Sequence, residues 1–90
     1  MAEQKVMYEV RDGIATIMLN REWVLNAIDL EMVDQLGDAA EQAAGDDAVW
    51  TVVLRGAGRA FCSGIDRTAL ARGDIDERFY RGIARATNWL

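Results

Sequence analysis

The sequence contains no histidine. That removes Ser-His and Cys-His nucleophile activation and the commonest metal ligand together. Carboxylates, lysine, tyrosine and cysteine are left as the groups able to move a proton. Cys62 is the single cysteine, so no internal disulfide can form. No charged-then-apolar leader opens the chain and no long apolar run follows, so a cytoplasmic location is expected and a membrane partner is not. Positive charge is also scarce: ten Lys+Arg against fifteen Asp+Glu give a formal charge of -5, which argues against nonspecific binding to nucleic acid or an anionic membrane. Nine of the ten basic residues are arginine, and Arg67, Arg72, Arg78, Arg81 and Arg85 crowd the last third. They are expected to form a solvated helix face, with a local anion contact as the alternative.

What is present suits a core. Hydrophobic residues make up 51% and charged residues 28% of the 90, close to globular averages. A chain of this length buries only about 60% of its unfolded surface, so one small domain, or a piece of a larger one, is expected over residues 1–90. No repeat, low-complexity tract or linker interrupts it.

Met1 to Lys5 is expected to be a loose start. Val6, Tyr8 and Val10 alternate with Met7 and Glu9 as in a half-buried strand. Asp12-Gly13 supplies the positive-φ pair of a tight hairpin, and Ile14 to Leu19 reads as a second, antiparallel and more buried strand. The segment after Asn20 reads as a structured loop. Asp29 is the expected N-cap of an amphipathic helix over Leu30 to Ala44, with Ile28, Met32, Leu36, Ala40 and Ala43 at helical spacing. Gly45-Asp46-Asp47 stops it, and Val49 to Leu54 reads as a strand buried on both faces, reached by a right-handed crossover. A short helix over Thr68 to Ala71 closed by Gly73, and a longer one from Ile75 to Leu90, are expected to follow. Asn88-Trp89-Leu90 carries no cap, glycine or polar tail, so this helix reads as cut rather than finished.

The densest signal is Gly56-Ala57-Gly58-Arg59-Ala60-Phe61-Cys62-Ser63-Gly64-Ile65-Asp66, with three glycines in nine residues. It leaves the carboxyl end of the third strand, where open α/β sheets place their ligands. A helix starting near Asp66 points free N–H groups back at the loop. A dinucleotide fingerprint fails because Phe61 stands where the third glycine belongs, and a phosphate loop fails on spacing and on the missing lysine. Cys62 lacks a partner base and reads as a small core residue.

This stretch resembles the loop of the crotonase superfamily, the enoyl-CoA hydratase and isomerase group. Asn20-Arg21 with Leu25-Asn26-Ala27-Ile28 is similar to that family's segment after its second strand, and Thr51 to Gly56 to its third strand. The resemblance covers residues 5 to 90 and corresponds to the opening portion of a family domain. It implies an α/β fold, a ββα spiral of which this chain holds the N-terminal part: strand hairpin, crossover helix, buried strand, glycine loop and C-terminal helices. It also implies an acyl-CoA enzyme of fatty-acid metabolism, a lyase or isomerase, that holds a thioester enolate in an oxyanion hole. The first donor of that hole would be the backbone N–H of Ile65, with Asp66 acting as a cap rather than a base. The resemblance places coenzyme A against the carbonyls of Ser63 and Asp66 and along Trp23 and Val24, with Arg67 near a phosphate, and implies no metal and no cofactor beyond the CoA of the substrate. The second donor and the acid/base carboxylates would lie past residue 90, so the 90-residue chain alone is expected to be inactive. A homo-oligomer is expected on separate grounds, because Val49 to Leu54 needs covering on both faces and the end at Trp89-Leu90 is apolar. The alternative is a non-catalytic binding or assembly module built on the same scaffold. Two departures from the family pattern stand at Glu22, which replaces a proline and would repel CoA phosphates if it faced them, and at Trp23. The indole either stacks on adenine or packs on the Leu30–Ala44 helix or a neighbouring subunit.

Overall fold

The computed structural model describes residues 4–89, with the backbone only of Trp89. Strand β1 (Val6–Arg11) pairs antiparallel with β2 (Ile14–Leu19), and β2 pairs parallel with β3 (Thr51–Gly56), giving the sheet order β1-β2-β3. Asp12 at φ 53° and Gly13 at φ 79° make the hairpin turn, whose two left-handed residues match the twist of the flanking strands. A side chain at Gly13 would run into the Trp50 indole, so the turn also needs glycine for room.

Helix α1 (Leu30–Ala44) has the expected bounds. The Asp29 carboxylate accepts the Met32 N–H at 2.9 Å, a cap worth about 1 kcal/mol, and Glu31 adds negative charge in the first turn. Its apolar stripe places Met32, Leu36 and Ala39 against Val6, Ile17 and Leu19 of the sheet, with Ala86 closing the cluster. After a 3₁₀ turn at Glu22–Val24 and the short helix α2 (Arg67–Ala71), the last helix, α3 (Glu77–Trp89), packs on α1. A side chain at Gly82 would collide with Val33, so the two helices touch there. No helix among the described residues is long and apolar enough to cross a membrane.

Several expectations are corrected. The third strand is not buried: Val52, Val53 and Leu54 are 37%, 43% and 38% exposed. An apolar run records what a strand tolerates, while burial depends on which layers lie over it. Here α1 lies over β1 and β2 and meets α3, and β3 stands uncovered at the sheet edge. That strand also starts at Thr51 instead of Val49. Lys5 is not loose, since its N–H and that of Val6 both donate to Gln35 Oε1 (2.8 and 2.9 Å) and its ammonium lies 2.7 Å from Asp29. Helix α3 begins at Glu77 rather than Ile75, because the Asp76 carboxylate accepts the Arg78 and Phe79 N–H groups (3.0 and 3.3 Å) and acts as its cap. Arg81 lies on a solvated face as expected, but Arg85 joins α3 to α1 through Asp38 (2.9 Å) and Glu41 (2.7 Å). The expectation about Asn88-Trp89-Leu90 falls, at Leu90 and the Trp89 side chain, outside the described residues.

Candidate functional site

Because β2 and β3 are parallel neighbours, the segments that follow them leave the same end of the sheet. Residues 20–28 and 56–66 therefore meet, and polar groups of both are paired across the seam. Asn26, with no exposed surface, donates from Nδ2 to the carbonyls of Ala57 (3.0 Å) and Ala60 (2.9 Å), and its Oδ1 accepts the Arg21 N–H at 2.8 Å. Ser63 Oγ donates to the Val24 carbonyl at 3.2 Å. Leu25 and Asn26 are both left-handed, at φ 54° and 59°, a conformation costly for leucine that persists only where surrounding bonds determine it.

The last link in the seam joins Ile28 to the glycine loop. Ile28 and Ile65 form a parallel bridge in which the Ile28 N–H donates to the Gly64 carbonyl and the Asp66 N–H to the Ile28 carbonyl, both at 2.8 Å. In such a bridge the N–H of the facing residue turns to the opposite side. The Ile65 N–H thus has no hydrogen-bond partner among the described residues. Gly64, at φ 108°, makes the preceding bend, which only glycine takes without strain. Ile65 lines an open cleft of about 290 Å³ with Val24, Ala27, Ser63, Asp66 and Arg67.

Asp66 is held tightly. Its Oδ1 accepts the Ala69 N–H at 2.9 Å, capping α2, and its Oδ2 accepts from Arg21 Nη1 at 2.8 Å. The Ala69 N–H, then the Arg21 guanidinium, hold its carboxyl below the usual carboxylate range. With both oxygens engaged it serves as cap and anchor. Arg21 Nη1 also donates to the Ala27 carbonyl (2.8 Å) and lies 3.6 Å from Asp29; its Nε is buried without a partner among the described residues.

Of the residues singled out from sequence, Val24, Ser63, Ile65, Asp66 and Arg67 come together at this cleft. Trp23 stands outside that lining and is 60% exposed. Glu22 opens the 3₁₀ turn and lies against Gly58, where an added Cβ would come 2.5 Å from its carboxylate. Cys62 is half-buried at the margin of the core and accepts the Gly64 N–H at 3.3 Å. Arg21 and Asn26 were missed as parts of the site. The one local signal was an asparagine inside the apolar run Leu25 to Ile28, since asparagine tolerates the left-handed region. A larger hollow of about 380 Å³ lies between β1 and α1 around Tyr8 and Gln35. It shares no lining residue with the cleft at Ile65.

The chain is similar to known proteins. Residues 14–85 match the family model described as enoyl-CoA hydratase/isomerase. The chain is 41% identical over 66 residues to a probable enoyl-CoA hydratase of Rhodobacter capsulatus, covering 73% of this chain and 25% of that protein. It is 36% identical over 89 residues to the 1,2-epoxyphenylacetyl-CoA isomerase of Escherichia coli, covering 89% of this chain and 34% of that protein. The crystal structure of a carnitinyl-CoA hydratase from Mycobacterium avium superposes with a TM-score of 0.77 at 38% identity, over 81% of this chain and 28% of the other. The chain thus spans about a quarter to a third of the length of the curated relatives it matches. With a family model covering most of its residues and the crotonase fold shared with solved relatives at this identity, the chain belongs to the enoyl-CoA hydratase/isomerase family.

Proposed function

We propose that the cleft at Ile65 is half of an acyl-CoA thioester site, in an enzyme of the hydratase/isomerase type that stabilises an enolate oxyanion. The observation that carries this reading is the Ile65 N–H, left unpaired while the groups on either side of it are taken up by Ile28. A fixed backbone donor of this kind is worth most where negative charge develops on the carbonyl oxygen, because it needs no reorganisation at that moment. Coenzyme A would run past Val24, with its adenine against the carbonyls of Ser63 and Asp66 and the exposed Trp23 as a stacking surface. Arg67, exposed at the cleft edge, would meet a phosphate. No cofactor is invoked beyond the CoA of the substrate. Among the described residues Asp66 is the one carboxylate lining the cleft and is engaged at both oxygens, so proton transfer is assigned to groups outside this seam. Single-cysteine usage fits a reducing compartment, and we assign the cytoplasm.

Calorimetric titration tests the reading. Acetyl-CoA is expected to bind more tightly than CoA by roughly three- to tenfold, the worth of one added hydrogen bond. Equal affinities, or no binding of either, would remove the thioester assignment. We also assign a homo-oligomer, because the uncovered strand β3 exposes Val52 to Leu54 beside Trp50, itself 76% exposed. Sedimentation at micromolar concentration is expected to show association, and a compact monomer would contradict it. Association without thioester preference would favour the non-catalytic assembly module.

A further inference from the structure

We propose that Asn26 is the positioning residue of the Ile65 donor, an inference that rests on the thioester reading above. Three features of Asn26 coincide. It has no exposed surface, it sits at φ 59°, and it donates both amide protons of one side chain to two carbonyls of the glycine loop while accepting the Arg21 N–H. Two carbonyls of a turn aimed at one buried amide make that amide the hub of the turn. Neither carbonyl could find water in its place without opening the seam.

Asn26 lies two residues before Ile28, and both lie on the segment that faces the loop. The amide sets how residues 21–28 sit against residues 57–60. Ile28 then takes the Gly64 carbonyl and the Asp66 N–H, and that pairing turns the Ile65 N–H outward. The Asn26 side chain makes its bonds to Arg21, Ala57 and Ala60, none of which belongs to the cluster of Ile17, Met32 and Leu36 that holds the sheet to α1, although Ile28 and Cys62 of the seam pack against that cluster. Loss of the Asn26 bonds is therefore expected to misplace the donor while the core stays folded.

The test uses the whole 90-residue chain labelled with ¹⁵N and two variants. Asn26→Gly keeps the left-handed backbone without strain and deletes the side-chain bonds. Asn26→Asp keeps the shape and the acceptor for Arg21, and sets an oxygen against two carbonyls. Amide hydrogen exchange at Ile28 and Asp66 is expected to rise about tenfold or more in both variants, with Ile17 in the central strand changing by less than about twofold. The preference for acetyl-CoA over CoA should vanish in both. Unchanged exchange at Ile28 and Asp66, or an equal rise at Ile17, would overturn the proposal, the second outcome by showing a role in global stability alone. The exchange measurement needs no ligand. A wild-type chain with no acetyl-CoA preference would therefore defeat the thioester reading, while exchange would still decide whether Asn26 holds the bridge.

Discussion

Replacing Asp66 by alanine is expected to lower the unfolding free energy by about 3–5 kcal/mol, the usual cost of removing one partner from a buried ion pair. The loss has two sources. Helix α2 loses the acceptor of its Ala69 N–H, and Arg21 keeps a largely buried guanidinium with, among the described residues, only Asp29, at 3.6 Å, as counter-ion. Asp66→Asn should cost less, since asparagine still caps a helix. The carboxyl is held below its ordinary range when folded, so its contribution is complete above the unfolded pKa of about 3.9 and is lost as pH falls through the lower folded value. Urea unfolding of wild type and Asp66→Ala should therefore show a wide gap in midpoints at neutral pH that narrows in acid. A gap independent of pH would mean that the ion pair is not its source, and no gap at all would mean that Asp29 replaces Asp66 as partner.

Ile65→Pro is the sharpest test of the chemistry. Proline deletes the N–H and leaves both bonds of the bridge, because Ile28 bonds to the Gly64 carbonyl and the Asp66 N–H. Where the active site is complete, turnover of an acyl-CoA should fall by about 10²–10³, on the order of 3 kcal/mol, as for loss of one oxyanion donor. Ile65→Val, which keeps the N–H, should be mild. Ground-state binding of acetyl-CoA should weaken by only about 1 kcal/mol, one neutral hydrogen bond. Turnover equal to wild type in a proline variant with unchanged circular dichroism would show that another group holds the carbonyl.

The parts of the fold legible in sequence were those written in neighbouring residues. Asp29, the spacing of Met32, Leu36, Ala40 and Ala43, and Gly45 bound α1 to the residue, because caps and periodicity act within a few turns. Asp12-Gly13 likewise marks the hairpin. Exposure of β3 was not legible, since Val52 to Leu54 look alike whether or not a layer covers them. Nor was the left-handed Leu25, whose conformation is set by bonds that Arg21 and Asn26 make around it. The glycine loop announced itself by composition, but the role proposed for it came from resemblance. The reason is that the freedom of the Ile65 N–H depends on Ile28, on a different segment of the chain.

That separation bears on the order of folding. The contacts that shape the cleft join residues 31, 34 and 45 positions apart, so each closes a long loop whose entropy must be met before the contact returns anything. The hairpin and α1 can form from local contacts alone, whereas the seam has no meaning until β3 has docked beside β2. The donor is therefore among the last features to appear as the chain folds and among the first to dissolve when the sheet edge frays, so ligand affinity should report on completion of the crossover before any core probe registers a change.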